Sequence, residues 1–395
     1  MTEHRLRDLL ADVVEDVPAP DLVGPAWDRS QQLRNRRRKA LLGAAGLAAG
    51  AVVAGTVWLG GDGTPTPPGP AATSTAPAES PAPTQDAIRP PDARLAGAPV
   101  WRAPDKKAEA DLPQLPQSVS GLPATIDLGG PAPDIGTSPL PRALAAFEVS
   151  DNSTERFREL LLLGPGGELR RLDVDDLDHT YVDPEGNRMS VLTQESLSPD
   201  GTRLMLLQND FLMIYDLTDG SWHELSARGR SVEFARWVPD SDAVVIQDIA
   251  VTVPGDELTD PGAAPRTPAD SRFPIGDWWG PARSFGGKTA QAGFVRPIYP
   301  ENWIESAVEV YQVIAVEGDS TVLFAFPEDI SPANSRWKGC CAVVSWLDDT
   351  TVAFESRGDP YTTLAGDIET GRFWRLATIQ PAPGTYFYSS YANLR

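Results

Sequence analysis

Residues 196–225 read SLSPDGTRLMLLQNDFLMIYDLTDGSWHEL, three short apolar runs separated by two polar turns. Leu204, Met205, Leu206 and Leu207 follow Pro199-Asp200-Gly201. There proline fixes φ, aspartate bonds its own backbone and glycine supplies a positive φ. The run 211–215 is the second, and Thr218-Asp219-Gly220 turns the chain into Trp222-His223-Glu224-Leu225. Runs of this length bounded by turn residues predict strands in a meander. Residues 234–240 repeat the lead-in, and residues 343–376 repeat the whole unit. In the second copy Asp348-Asp349 stands for Pro199-Asp200 and Glu369-Thr370-Gly371 for Thr218-Asp219-Gly220, while Trp237 and Trp346 fall at equivalent points. Such a unit buries its apolar face only against its neighbours, so the expected fold is all-β, a β-propeller. Strand-like pieces recur from residue 125 to residue 379 with almost no helical periodicity. About 290 residues at roughly 40–45 per blade give six or seven blades over a domain spanning 100–395. Residues 255–293, which carry Trp278, Trp279 and Phe285 among glycines and prolines, break the rhythm and read as an insertion on one rim.

The pattern before residue 100 is different. Leu6, Leu9, Leu10 and Val13 recur at helical spacing until Pro18 and Pro20 stop them. They predict a short amphipathic helix whose aliphatic stripe needs a cover, a docking segment for a cytoplasmic partner. Arg34, Arg36, Arg37, Arg38 and Lys39 close the segment 1–39 and lead into 40–61, which carries no charge. As a helix that stretch reaches roughly 33 Å, enough to span a bilayer. The basic flank places its N-terminal end in the cytoplasm and the rest of the chain outside. A cleaved secretory signal is the rival reading, and the 39 residues ahead of the apolar stretch argue for a signal anchor instead. Residues 62–99 are rich in Pro, Thr and Ala and form a tether.

Charge sharpens this division. The net charge is −21, yet residues 1–39 hold 8 Lys/Arg against 7 Asp/Glu, which leaves 26 against 48 from Asp62 onward. A surface of that sign repels phosphate backbones and excludes nucleic acid as a partner of the outer part. Cys340 and Cys341 are the only cysteines and are read as two structural thiols, with a vicinal disulfide as the alternative. The three histidines lie far apart, and no zinc, nucleotide-binding or nucleophile motif occurs, so no metal, cofactor or catalytic residue is expected. Asp173, Asp175, Asp176 and Asp178 have the oxygen chemistry of a calcium site, but the spacing is that of a solvated acidic turn. Asp200, Asp240, Asp348 and Asp349 recur at one point of the repeat, which suits turn capping better than catalysis.

Ser198-Pro199-Asp200-Gly201 with Leu204 following resembles the repeat of TolB-like and WD40-like propellers, and Trp237-Val238-Pro239-Asp240 and Trp346-Leu347-Asp348-Asp349 are diverged copies. The acidic-aliphatic segment, arginine row and single span resemble actinobacterial single-pass membrane proteins of the anti-sigma type. Those with a zinc anti-sigma domain carry HxxxCxxC before the membrane, and this chain has only His4 there. The combined expectation is a non-catalytic, membrane-anchored propeller at the cell envelope, binding a protein, peptide or glycan through Trp278, Trp279 and Phe285, with plugging of the propeller rim as the alternative role of those aromatics. The alternatives are a signalling protein that relays to a cytoplasmic regulator and an envelope hydrolase using acids near the central channel.

Overall fold

The computed structural model separates residues 1–82 from the unit Pro83–Arg395. Residues 89–394 are described, apart from 96, 184, 240–241, 260–274, 296–309, 319 and 328–340. The expected docking helix, the apolar stretch 40–61 and most of the tether lie outside the described residues. Among the described residues no helix is long and apolar enough to cross a membrane.

Turn residues punctuate apolar runs, and strands form between them. The described part opens with β1 (Ala93–Leu95) and β2 (Ala98–Arg102), a 3-10 turn at Ala108–Asp111, a short helix at Gln117–Ser120, and β3 (Thr125–Asp127). A meander follows, of β4 (Ala145–Asp151), β5 (Phe157–Leu163) and β6 (Leu169–Leu172). After a small hairpin, β7 (Tyr181–Val182) with β8 (Arg188–Met189), comes the meander β9 (Arg203–Leu207), β10 (Phe211–Asp216) and β11 (Ser221–Ser226). Leu197 bridges Leu204, so the stretch before β9 acts as that unit's first strand. The third unit is β12 (Arg236–Trp237), β13 (Ala243–Ile246), β14 (Ile249–Thr252) and β15 (Leu258–Thr259). The fourth is β16 (Ile275–Phe285), β17 (Lys288–Val295), β18 (Val310–Glu317) and β19 (Val322–Pro327), and the fifth β20 (Val343–Trp346), β21 (Thr351–Ser356), β22 (Tyr361–Asp367) and β23 (Phe373–Gln380). The last strand, β24 (Thr385–Tyr391), returns to pair antiparallel with β4 and completes the first unit.

Hydrogen bonds between first strands join four of the five pairs of neighbouring units. The Ser390 hydroxyl on β24 donates to the Gln194 carbonyl at 3.1 Å and accepts the Leu197 N–H at 2.8 Å, joining units one and two. The Trp237 indole donates to the Ser196 carbonyl at 3.0 Å, joining units two and three. The Trp346 indole donates to the Arg283 carbonyl at 2.8 Å, joining units four and five, and the Ser345 hydroxyl accepts the Leu394 N–H at 3.1 Å, joining five to one. Both tryptophans are buried. The fold is thus an all-β propeller, with five blades among the described residues rather than the six or seven expected.

Residues 93–135 account for the difference, because they add to the outside of existing blades. β2 runs parallel beside β19, Gln114 bridges Arg375, β3 runs parallel beside β23, and Asp134 bridges Arg171. This outer belt covers the edge strands of blades four, five and one in turn, edges that would otherwise present unpaired backbone. It is locked at two points. Trp101 seats on the turn at Gly371, where a Cβ would lie 2.1 Å from the indole and φ is +65°, and its Nε1 donates to the Ile368 carbonyl at 3.1 Å. Lys106 and Glu109 form a buried ion pair of 2.7 Å that also engages Ser356 and Thr362 of blade five.

The stretch 255–293 is not an insertion as far as it is described. It holds β15, β16 and most of β17, the outer strand of blade three and the inner strands of blade four. Its Gly280-Pro281 marks an irregularity within β16, and Gly286-Gly287 the hairpin to β17. Cys341 is buried and disulfide-bonded, against the expectation of two thiols; the other cysteine, Cys340, lies outside the described residues.

Candidate functional site at the loop end of the ring

In a four-stranded meander, turns alternate between the two ends of the blade. The turns between second and third strands therefore share one end of the ring with the connections between blades. At the opposite end lie the repeat turns. There Asp200 accepts the Thr202 N–H at 3.0 Å and the Ser198 hydroxyl at 2.6 Å, and Asp348 accepts the N–H groups of Thr350 and Thr351 at 2.8 Å each. These bonds hold both carboxyls below the ordinary aspartate range, against the opposing effect of burial. Pro199 and Asp200 thus shape a turn. Gly201 completes it with φ +75°, where a Cβ would lie 2.1 Å from the Ala143 carbonyl oxygen.

Two acids stand near the other end, and the sequence places them alike. Ala146-Phe147-Glu148 lies on β4 and Ala353-Phe354-Glu355 on β21, the second strands of blades one and five. In each, the phenylalanine enters the core and the glutamate, facing the other way, reaches the next blade. Glu148 accepts the Ser190 hydroxyl at 2.5 Å and the Leu192 N–H at 3.1 Å. Burial pushes its carboxyl up to about 7, although those same bonds and the Val191 N–H pull it down. Glu355 accepts the Ser389 hydroxyl of β24, and Arg357 donates to its Oε2 from Nε and Nη2, at 2.9 Å each. The Arg357 guanidinium lies 5.9 Å from the Trp279 ring centre. Both acids staple a blade to its neighbour, on opposite sides of β24. The repeated Ala-Phe-Glu is the sequence signal that marks them.

Of the three aromatic residues expected to act together, Trp278 is set apart from Trp279 and Phe285. Trp278 and Trp279 are adjacent on β16 and pack on different clusters: Trp278 with Ala315, Leu323 and Ala325, Trp279 with Phe285 against the cluster of Phe354 and Trp346. All three are partly buried. The side chains most exposed at the loop end are others. Phe234 is 75% exposed just before β12, Val182 43% on β7, Met189 38% on β8 and Tyr388 37% on β24, where Tyr388 sits opposite Glu148 and 5.7 Å from Tyr386.

Among the described residues no cluster of three or more metal-ligating side chains forms. Asp173 instead caps the Asp175 N–H at 3.0 Å. His179 stacks on Phe157 at 4.3 Å, and His223 meets the Ser221 hydroxyl at 3.0 Å while the nearby Asp219 carboxylate caps the Ser221 N–H at 2.8 Å.

No family model matches the chain, and no curated protein matches it. Among solved structures it is similar to the β-propeller domain of the Trilobed protease from Pyrococcus furiosus, at 12% identity over 58% of this chain and 67% of that one, with a TM-score of 0.25. A Bacteroides uniformis protein assigned provisionally as a 6-phosphogluconolactonase is 10% identical over 61% and 83% of the two chains, with a TM-score of 0.27. A eukaryotic initiation factor is 9% identical over 59% and 62%, with a TM-score of 0.21. Likenesses this distant carry no argument about activity; the propeller rests on the strand order and ring closure described above.

Proposed function

We propose that this chain is a non-catalytic binding protein of the cell envelope, anchored by residues 40–61 and presenting the loop end of its propeller to a partner. The observation that supports binding over catalysis is the engagement of Glu148 and Glu355. Each is consumed by hydroxyl, N–H or guanidinium donors in a separate blade interface, so they do not face one another across an open gap as a hydrolytic acid pair does. Exposed Phe234, Met189 and Tyr388 at the same end supply the contact surface.

The test is a crosslinking pull-down from intact cells carrying the full chain, paired with protease added outside cell-wall-free cells. A specific partner crosslinked to the propeller, with residues 1–39 protected from protease, is the expected result. A chain that begins after Gly61 and is released to the medium would overturn the anchor. The signalling reading rests on the stripe Leu6, Leu9, Leu10 and Val13 on the far side of the proposed span. It requires that replacing those residues with serine abolish capture of a cytoplasmic protein.

A further inference from the structure

Of the exposed large apolar side chains among the described residues, Val182, Met189 and Phe234 belong to two neighbouring connections between blades, 173–190 and 227–235. Both connections are held on the propeller by specific bonds. The Tyr181 hydroxyl lies 3.2 Å from that of Ser231, Asn209 accepts the Val182 N–H at 3.1 Å, and Gln208 exchanges two bonds with the Asp178 backbone, at 2.9 and 3.1 Å. Asp183 is 8% exposed and fixes the tip by accepting from Asn187 and the Glu185 N–H. The apolar tips therefore stand on a rigid base.

Their surroundings are acidic. Residues 173–190 carry six carboxylates, Asp173, Asp175, Asp176, Asp178, Asp183 and Glu185, against the single cation Arg188. Glu233, beside Phe234, has its carboxyl raised first by partial burial and then by the charges of Asp183 and Glu185. The second connection carries two arginines, both engaged elsewhere: Arg230 by Asp248 at 2.5 Å, and Arg228, which donates to the Asp256 carbonyl at 2.6 Å. A patch that combines exposed apolar tips with unbalanced negative charge complements cations joined to apolar groups. A second copy of the propeller does not fit, since from Asp62 onward it carries 26 Lys/Arg against 48 Asp/Glu. An anionic membrane surface is repelled for the same reason.

We infer that exposed Phe234, flanked by Glu185 and Glu233, docks a basic peptide segment of a partner protein that carries a large apolar side chain. The inference rests on the binding role proposed above and names the surface and the partner's chemistry. The apolar side chain seats against Phe234, and flanking Lys or Arg residues pair with the acids around it.

Two synthetic peptides test this against the detergent-solubilised full chain, by titration calorimetry at two salt concentrations. One alternates Lys/Arg with Leu; the other has the same charge with Ser in place of Leu. The expected result is that the Leu peptide binds and the Ser peptide binds at least roughly tenfold more weakly. Phe234→Ala should weaken the Leu peptide by a similar factor with an unchanged melting temperature, because the side chain is exposed. Glu185→Gln with Glu233→Gln should weaken it several-fold and flatten its salt dependence. Equal binding of the two peptides, or an affinity unmoved by Phe234→Ala, overturns the docking site. So does self-association abolished by Phe234→Ala, which would make the occupant a second copy. Capture of the cellular partner at full strength by Phe234→Ala would overturn this surface and leave the binding role standing, whereas no partner for either form would overturn both.

Discussion

Glu148 shows what a single side chain contributes to this ring. A carboxyl whose folded value lies near 7 against an ordinary 4.5 binds its proton more tightly in the native state than in the unfolded one. Its protonated form is therefore favoured by folding, and stability falls as pH rises from about 4.5 through about 7, by on the order of 3 kcal/mol. Glu148→Gln removes that titration and keeps an acceptor for Ser190. Its melting temperature should exceed that of the parent at pH 8, with the gap closing at pH 4.5; parallel curves across this range would refute the assignment. Trp346 is the second such residue. Its indole is buried and donates to the Arg283 carbonyl across a blade boundary, so Trp346→Ala should cost about 3–5 kcal/mol in urea unfolding. Trp237→Ala, which removes the matching bond to Ser196, should behave alike.

Among elements, the outer belt depends on a buried charge pair. Lys106 and Glu109 are almost fully shielded from solvent. Lys106→Ala leaves Glu109 charged and poorly compensated inside the protein, at a cost of about 3–5 kcal/mol. Amide hydrogen exchange should show the loss first in β2 and β3, with β9 and β10 still protected; uniform loosening of all blades would show that the belt and ring are one cooperative unit. The elements also show what was legible beforehand. The strands of blade two were readable because their apolar runs end at Pro199-Asp200-Gly201 and Thr218-Asp219-Gly220, and the turns fall there. Blade four was hidden because Gly280, Pro281, Gly286 and Gly287 look like a loop in sequence, whereas they form an irregularity and a hairpin within paired strands. The belt is hidden in the sequence for another reason. Residues 125–128 have the pattern of a blade strand, and only tertiary pairing reveals that β3 joins β23 in parallel from outside. The candidate site was least legible: Phe234 reads as part of a strand over 231–237, but β12 is confined to Arg236–Trp237, which leaves the phenylalanine in the preceding connection.

The whole molecule is closed by its last strand. β24 supplies the first strand of blade one, the Ser390 and Ser389 contacts to blades two and five, and Phe387 and Tyr391 against Phe147. Truncation after Gln380 removes all of these at once. The expected product lacks a cooperative thermal transition, as followed by calorimetry, while a single substitution such as Ser390→Ala only lowers the midpoint. A truncated chain that melts sharply near the parent temperature would mean that the ring does not need its closing strand. That closure also sets the loop end, since Tyr388 stands there on the same strand.

The belt has a mechanical consequence. Tension drawn in through the N-terminal end arrives first at β1 and β2, then at Trp101, the Lys106 lock and β3, before it reaches β4 and the ring. Peeling residues 93–135 from the outer edges would pay out on the order of 150 Å of extended chain. The five blades, closed at the opposite terminus by β24, need not open during that extension. On that path the belt lengthens before the blades are loaded.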